Sequence, residues 1–327
     1  MRKSRQSATP SHRWTTISDC LTRTSLHRRT AVLLLFLCAT GALAQTRGPL
    51  DLANAPVPPG ARRIAYGADP LQFGELRLPP GKGPHPVAIV IHGGCWLAKL
   101  GNLDARAVAI DNMRPLAAAL GDAGIATWNV EYRRLGHPGG GWPGTFQDVA
   151  HAADFLRTLA ADHPLDLTRA IAIGHSAGGH LALWLAARPK LSAGSDLYIR
   201  DPLRVIGVVD LDGPADLKAT IPLQQPVCGS PVVTDLLGGS PEERPDRYRD
   251  ASPIALLPLD AGQEFFAGRM FAAHAAPYEA AVKRDGGSVH TTVLADAGHF
   301  VFIDPQSDVW PQVLAAARRL LASSSRH

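Results

Sequence analysis

Ala170-Ile171-Ala172-Ile173-Gly174-His175-Ser176-Ala177-Gly178-Gly179-His180 is the stretch that decides the fold. Its first four residues are continuously apolar, as in a strand covered on both faces. The helix predicted from Ala177 to Ala187 begins immediately after Ser176. A turn this tight forces the serine between strand and helix into strained backbone geometry, and small neighbours relieve the crowding. The hydroxyl is then held clear of the sheet, with the Ala177 amide at the helix start available to a developing oxyanion. As a bare pattern G-x-S-x-G is weak in a chain with 31 glycines. Its placement between a strand and a helix gives it weight.

Two further segments follow apolar runs in the same way. His92-Gly93-Gly94-Cys95-Trp96 comes directly after the strand expected over Val87–Ile91. Its paired glycines permit close backbone approach to a ligand, and the amides of Gly94 and Cys95 are candidates for the other half of an oxyanion hole. Asp296-Ala297-Gly298-His299-Phe300 comes after the last strand, expected near Val289–Leu294. A histidine in that loop is placed to take a proton from the serine and return it to a leaving group.

Between these segments short apolar runs alternate with longer amphipathic ones. Strands are expected at Leu71–Leu78, Ile125–Val130 and Val205–Leu211, and helices near Arg106–Ala123, Phe146–Ala161 and Val309–Leu321. The alternation predicts an α/β fold with a mostly parallel central sheet and helices on both faces. Ligands gather at the carboxyl ends of such strands, where the three segments lie. Pro49–Pro59 is expected to be an irregular lead-in.

On these segments the chain resembles the α/β-hydrolase superfamily, in the esterase branch that includes arylformamidase-like and hormone-sensitive-lipase-like enzymes. The likeness runs from about Val87 to Val313 and includes Asn129-Val130-Glu131-Tyr132-Arg133-Arg134, Gly140-Gly141-Trp142-Pro143-Gly144 with Asp148, and Ala251-Ser252-Pro253. It implies hydrolysis of a small ester or amide through an acyl-enzyme, without metal or cofactor. It also implies Ser176 as nucleophile, His299 as base, and the amides of Gly94, Cys95 and Ala177 as oxyanion donors.

The chain departs from that pattern at the triad acid. Such enzymes usually carry it after the strand preceding the histidine strand, where this chain reads Phe266-Ala267-Gly268-Arg269-Met270-Phe271-Ala272-Ala273-His274, without a carboxylate. The run Asp210-Leu211-Asp212-Gly213-Pro214-Ala215-Asp216 ends the strand expected beside the serine strand. Asp212 is the expected acid and Asp216 the second candidate. Asp210 shares a face with Asp212 but lies deeper, while Asp296 is too close in sequence to His299 for the required geometry. The competing role for Asp212 is a turn or helix-cap carboxylate. Three functions remain open: a carboxylesterase, an amidase or formamidase, and a catalytically weakened hydrolase fold that binds ligand.

The segment 219–249 has no clear period and is expected to be a short cap or lid, with Leu223, Val227, Val232 and Leu236 shaping an acyl pocket. At the amino terminus, basic residues ending in Arg28-Arg29 lead into an apolar run and Ala42-Leu43-Ala44. This predicts a signal peptide over residues 1–44, a hydrolase domain over 45–327, and a periplasmic or secreted product without stable membrane insertion. The whole chain has 33 Lys and Arg against 29 Asp and Glu; residues 1–44 hold 7 and 1 of these, leaving 26 against 28. Nothing in that balance points to nucleic acid or an anionic membrane. Removing the leader takes Cys20 and Cys38 with it. Cys95 and Cys228 then either pair, tying the cap to the oxyanion loop, or stay apart as small buried residues.

Overall fold

The computed structural model describes residues 47–323; the expected signal peptide, with Cys20 and Cys38, lies outside them. Eight strands form one sheet: β1 (Arg62–Ala65), β2 (Phe73–Arg77), β3 (His85–Ile91), β4 (Ala126–Val130), β5 (Leu165–His175), β6 (Gly207–Leu211), β7 (Gly262–Ala267) and β8 (His290–Val293). Their order is β1-β2-β4-β3-β5-β6-β7-β8. β1 and β2 pair antiparallel, β2 pairs antiparallel with β4, and all remaining pairs are parallel.

Side-chain alternation along the central strands divides the core. Ala88 and Val90 of β3, Ile171 and Ile173 of β5, and Val209 and Leu211 of β6 face one layer. Val87, Ile89, Ile91, Ala170, Ala172 and Val208 face the other. Both layers bury these strand residues, which are therefore apolar on both sides.

Ten helices are described: α1 (Pro49–Ala53), α2 (Arg114–Asp122), α3 (Gly144–Asp154), α4 (Leu156–Asp162), α5 (Ala177–Ala187), α6 (Leu217–Cys228), α7 (Val232–Leu237), α8 (Pro245–Ala251), α9 (Ala272–Arg284) and α10 (Trp310–Ser323). Every residue of α5 is buried, which accounts for its lack of a polar face.

Several boundaries differ from those read in the sequence. The expected irregular lead-in opens with α1, whose Pro49 occupies a first-turn position where its missing N–H costs nothing. The helix expected over Phe146–Ala161 is two helices meeting at Phe155. The stretch from Arg106 is 3-10 at Ala105–Val108 and Ile110–Met113 before α2 begins. The segment 219–249 is largely helical. Its period is hidden because α6 carries Pro222 and Pro226 inside it.

Candidate active site

Ser176 sits between β5 and α5 with φ 56° and ψ −123°, a conformation that is costly for a residue with a side chain. Two contacts hold it there. Its amide donates to the Leu211 carbonyl at the end of β6, 3.0 Å away. The first turn of α5 also lies directly against the end of β3: a Cβ added to Gly178 would come within 2.2 Å of the Ile91 carbonyl oxygen. Only glycine permits that approach.

The residue after Leu211 is Asp212, itself at φ 54° and fully buried. Its Oδ2 lies 2.6 Å from His299 Nδ1, and its Oδ1 accepts from the Gly268 amide at 2.7 Å. Its own amide donates to the Phe266 carbonyl at 2.8 Å. A carboxylate absent after β7 thus stands instead after β6, against His299, and Gly268, just past β7, supplies the backbone donor that fixes it. Asp216, the second candidate, instead caps α6, accepting from the amides of Lys218 and Ala219. Asp210 is buried below Asp212, and burial, then the charge of Asp212, holds its carboxyl well above the usual range. Asp296 is exposed.

In the sequence His175 has no evident role beyond its place in the elbow. In the fold its Nε2 donates to the His299 carbonyl at 2.9 Å, and the two rings lie 4.3 Å apart. Burial, and then the neighbouring His299 charge, push the His175 ring well below the usual histidine range. A neutral donor therefore anchors the histidine loop. The 124-residue separation between the two residues left no local pattern to find.

The His92–Trp96 loop crosses the same spot. A Cβ on Gly93 would meet Ser176 Cβ at 2.9 Å, and Gly94, Cys95 and Trp96 all have positive φ. Among the described residues the non-glycine positions with positive φ are Cys95, Trp96, Ser176 and Asp212. Backbone strain therefore concentrates in the three segments around Ser176, as it does at functional sites generally.

The Asn129–Arg134 stretch braces this loop. Glu131 meets His92 Nε2 at 3.0 Å and Arg134 at 3.2 Å, and the Tyr132 hydroxyl donates to the His92 carbonyl at 2.8 Å. Burial alone would raise the Glu131 pKa; His92 and Arg134 outweigh it and bring the carboxyl down to about 2. The Ala251–Pro253 stretch ties the cap helices to α5. His180 Nε2 donates to the Ala251 carbonyl at 2.8 Å, and Trp184 Nε1 to that of Asp250 at 3.0 Å.

Cys95 and Cys228 are joined in a disulfide, so the end of α6 is bonded to the His92–Trp96 loop. Two cavities border Ser176. One, of about 330 Å³, is lined by His175, Ser176, His299, Phe300 and Met270 with apolar groups such as Leu100 and Leu103. The other, of about 20 Å³, lies under α6 among Trp96, Ala177, Leu223, Val227, Val232 and Phe271. Leu236, expected here, is instead packed in the core, where its carbonyl accepts from Trp142. Among the described residues no three His, Cys, Asp or Glu side chains cluster as a metal site, and no helix is long and apolar enough to cross a membrane.

A family model described as BD-FAE matches residues 75–262, more than half of the chain. The chain belongs to the BD-FAE family. This is an esterase family of the α/β-hydrolase type, and the eight-stranded sheet has that fold. No curated protein matches the sequence. Among solved structures, a truncated carbohydrate esterase from gut microbiota aligns with TM-score 0.64 and 21% identity, covering 83% of this chain and 98% of its own. The propionate-bound esterase Est2 of the planctomycete Thermogutta terrifontis aligns with TM-score 0.62 and 19% identity, covering 81% and 94%. Esterase B from Lactobacillus rhamnosis, inhibited by a tributyrin phosphonate, aligns with TM-score 0.64 and 21% identity, covering 84% and 88%. At these identities the likeness is one of fold. The BD-FAE match includes the His92 loop, Ser176 and Asp212 and stops short of His299.

Proposed function

We propose that this BD-FAE protein is a serine carboxylesterase whose catalytic triad is Ser176, His299 and Asp212. The observation that carries this is the 2.6 Å contact between His299 Nδ1 and an Asp212 carboxylate that is itself locked by the Gly268 amide. An imidazole oriented in this way keeps Nε2 free to act as base, and its cationic form is stabilised by the acid behind it.

Catalysis begins when His299 Nε2 takes the Ser176 Oγ proton as the oxygen attacks the ester carbonyl carbon. The resulting oxyanion is met by backbone amides of the His92–Trp96 loop, from Gly94 and Cys95, and by that of Ala177 at the start of α5. Collapse breaks the bond to the alcohol oxygen, which leaves with the proton from His299. Water then repeats the sequence on the acyl-enzyme, releasing the acid and restoring Ser176. No metal or cofactor enters these steps.

The test is hydrolysis of 4-nitrophenyl acetate by the protein and by its Ser176→Ala variant. A loss of at least ~10³ in kcat/KM is expected. Equal rates would remove the nucleophile assignment, and anilides of the same acids run alongside measure any amidase component. We further propose export to the periplasm or medium. The Cys95–Cys228 bridge supports it, because such bonds persist in oxidising compartments. Amino-terminal sequencing of the exported protein is expected to begin at Gln45, and recovery of the protein only from the cytoplasm would oppose it.

A further inference from the structure

Ser176 borders two spaces of very different size, and the chemistry of the reaction decides which part of an ester enters each. The group that protonates the departing oxygen must stand beside it. His299 lines the cavity of about 330 Å³ and does not line the one of about 20 Å³. The alcohol portion therefore lies in the large cavity. The acyl portion points the other way, into the small one under α6, whose lining includes Ala177 and, shared with the large cavity, Cys95.

The small cavity leaves only about 20 Å³ for the centre of a water-sized group, against about 330 Å³ in the large one, so it suits a short acyl chain. Its roof is not free to lift. The Leu217 amide at the start of α6 donates to Ser252 Oγ, and the end of α6 is bonded through Cys228 to Cys95. Val227, next to that bond, lines both cavities and stands as the partition between them; Leu223, one turn earlier, lines the small cavity. The large cavity is walled mostly by apolar side chains, Leu100, Leu103, Met270 and Phe300 among them; among the described residues that line it, histidine is the sole ionisable type. Such a wall suits an aryl or alkyl body better than a polyol, whose hydroxyls would lose water without gaining partners.

We propose that the protein is selective for acetate esters of apolar alcohols, and that Val227 and Leu223, held in place by the Cys95–Cys228 bridge, set the acyl limit. This rests on the serine esterase reading above. The test measures kcat/KM on 4-nitrophenyl acetate, butyrate and octanoate, then on benzyl acetate against an acetylated methyl xyloside. Acetate is expected to exceed butyrate at least ~10-fold, and octanoate more. Val227→Ala and, independently, Leu223→Ala are each expected to narrow the acetate-to-butyrate ratio at least ~5-fold, as does Cys228→Ser to a smaller degree. Benzyl acetate is expected to be preferred to the sugar ester, although the sugar is the better leaving group. Octanoate cleaved as fast as acetate, in a reaction abolished by Ser176→Ala, would overturn the acyl limit and leave the esterase assignment standing. A ratio unmoved in both alanine variants would remove their role. Ester cleavage that persists in Ser176→Ala would overturn the underlying reading and this inference with it.

Discussion

The carboxyl ends of β6 and β7 lie side by side and contribute opposite kinds of group: the residue after β6 reaches His299, and the residue after β7 reaches that first residue in turn. β6 is followed by Asp212, a buried carboxylate against His299 Nδ1; β7 is followed by Gly268, whose backbone N–H donates to Asp212. Asp212 and its clamp come from neighbouring strand ends, and Asp212 sits one strand nearer to Ser176 than a carboxylate after β7 would. What the imidazole requires is a fixed negative charge within hydrogen-bond reach, and the strand of origin is secondary to that. Between β6 and the residue that follows it a second contrast appears. Asp212 has a histidine partner, whereas Asp210, two residues earlier, is buried without a cation, and burial and then the Asp212 charge hold its carboxyl well above the usual range.

Three substitutions would break or sharpen this comparison. Asp212→Asn should have the largest effect, a fall of ~10³–10⁴ in kcat with the fold retained, measured as ester turnover beside circular dichroism. A loss below tenfold would mean that β7 or the solvent supplies what the acid was thought to. Asp210→Asn should act on stability. Because the folded state raises this group's pKa, its contribution is full below the unfolded value near 3.8 and is lost as pH rises through the folded value. The asparagine variant should therefore gain about 1–2 kcal/mol over wild type at pH 7 and show no gain at pH 3, read from denaturant unfolding at both pH values. A difference of the same size at both pH values would mean that the fold does not raise the Asp210 carboxyl.

Gly268→Ala is expected to be the mildest. Its new Cβ would meet the Phe302 ring at 2.7 Å and Asp212 Oδ2 at 3.0 Å. The clamp would shift by tenths of an ångström and kcat should fall ~10-fold, about 1.4 kcal/mol. An unchanged rate would show that the Gly268 amide does not position the acid.

Much of this arrangement was legible in the sequence, and the remainder was hidden for physical reasons. The elbow and α5 stood out because an apolar strand, a small-residue turn and an apolar helix follow each other without a gap. Asp212 could be chosen because β6 was expected beside β5. Asp216 could not be separated from it, since a helix-capping aspartate and a triad aspartate look alike until their partners are known. β5 begins at Leu165, earlier than its apolar core, because Asp166 and Thr168 lie where the strand is only partly covered. The role of His175 is a contact between distant residues, and periodicity carries no trace of such contacts.

His175 in β5 pairs with Leu211 in β6, and the Ser176 amide bonds to the Leu211 carbonyl. Ser176 and Asp212 thus each follow one member of a single rung of the sheet. Their separation is set by strand register, as two teeth on meshed racks are set by the mesh. An engineer could lengthen or replace the loops that shape the cap without altering that spacing, whereas a one-residue slip of β6 would carry Asp212 away from His299 while leaving every loop sequence intact.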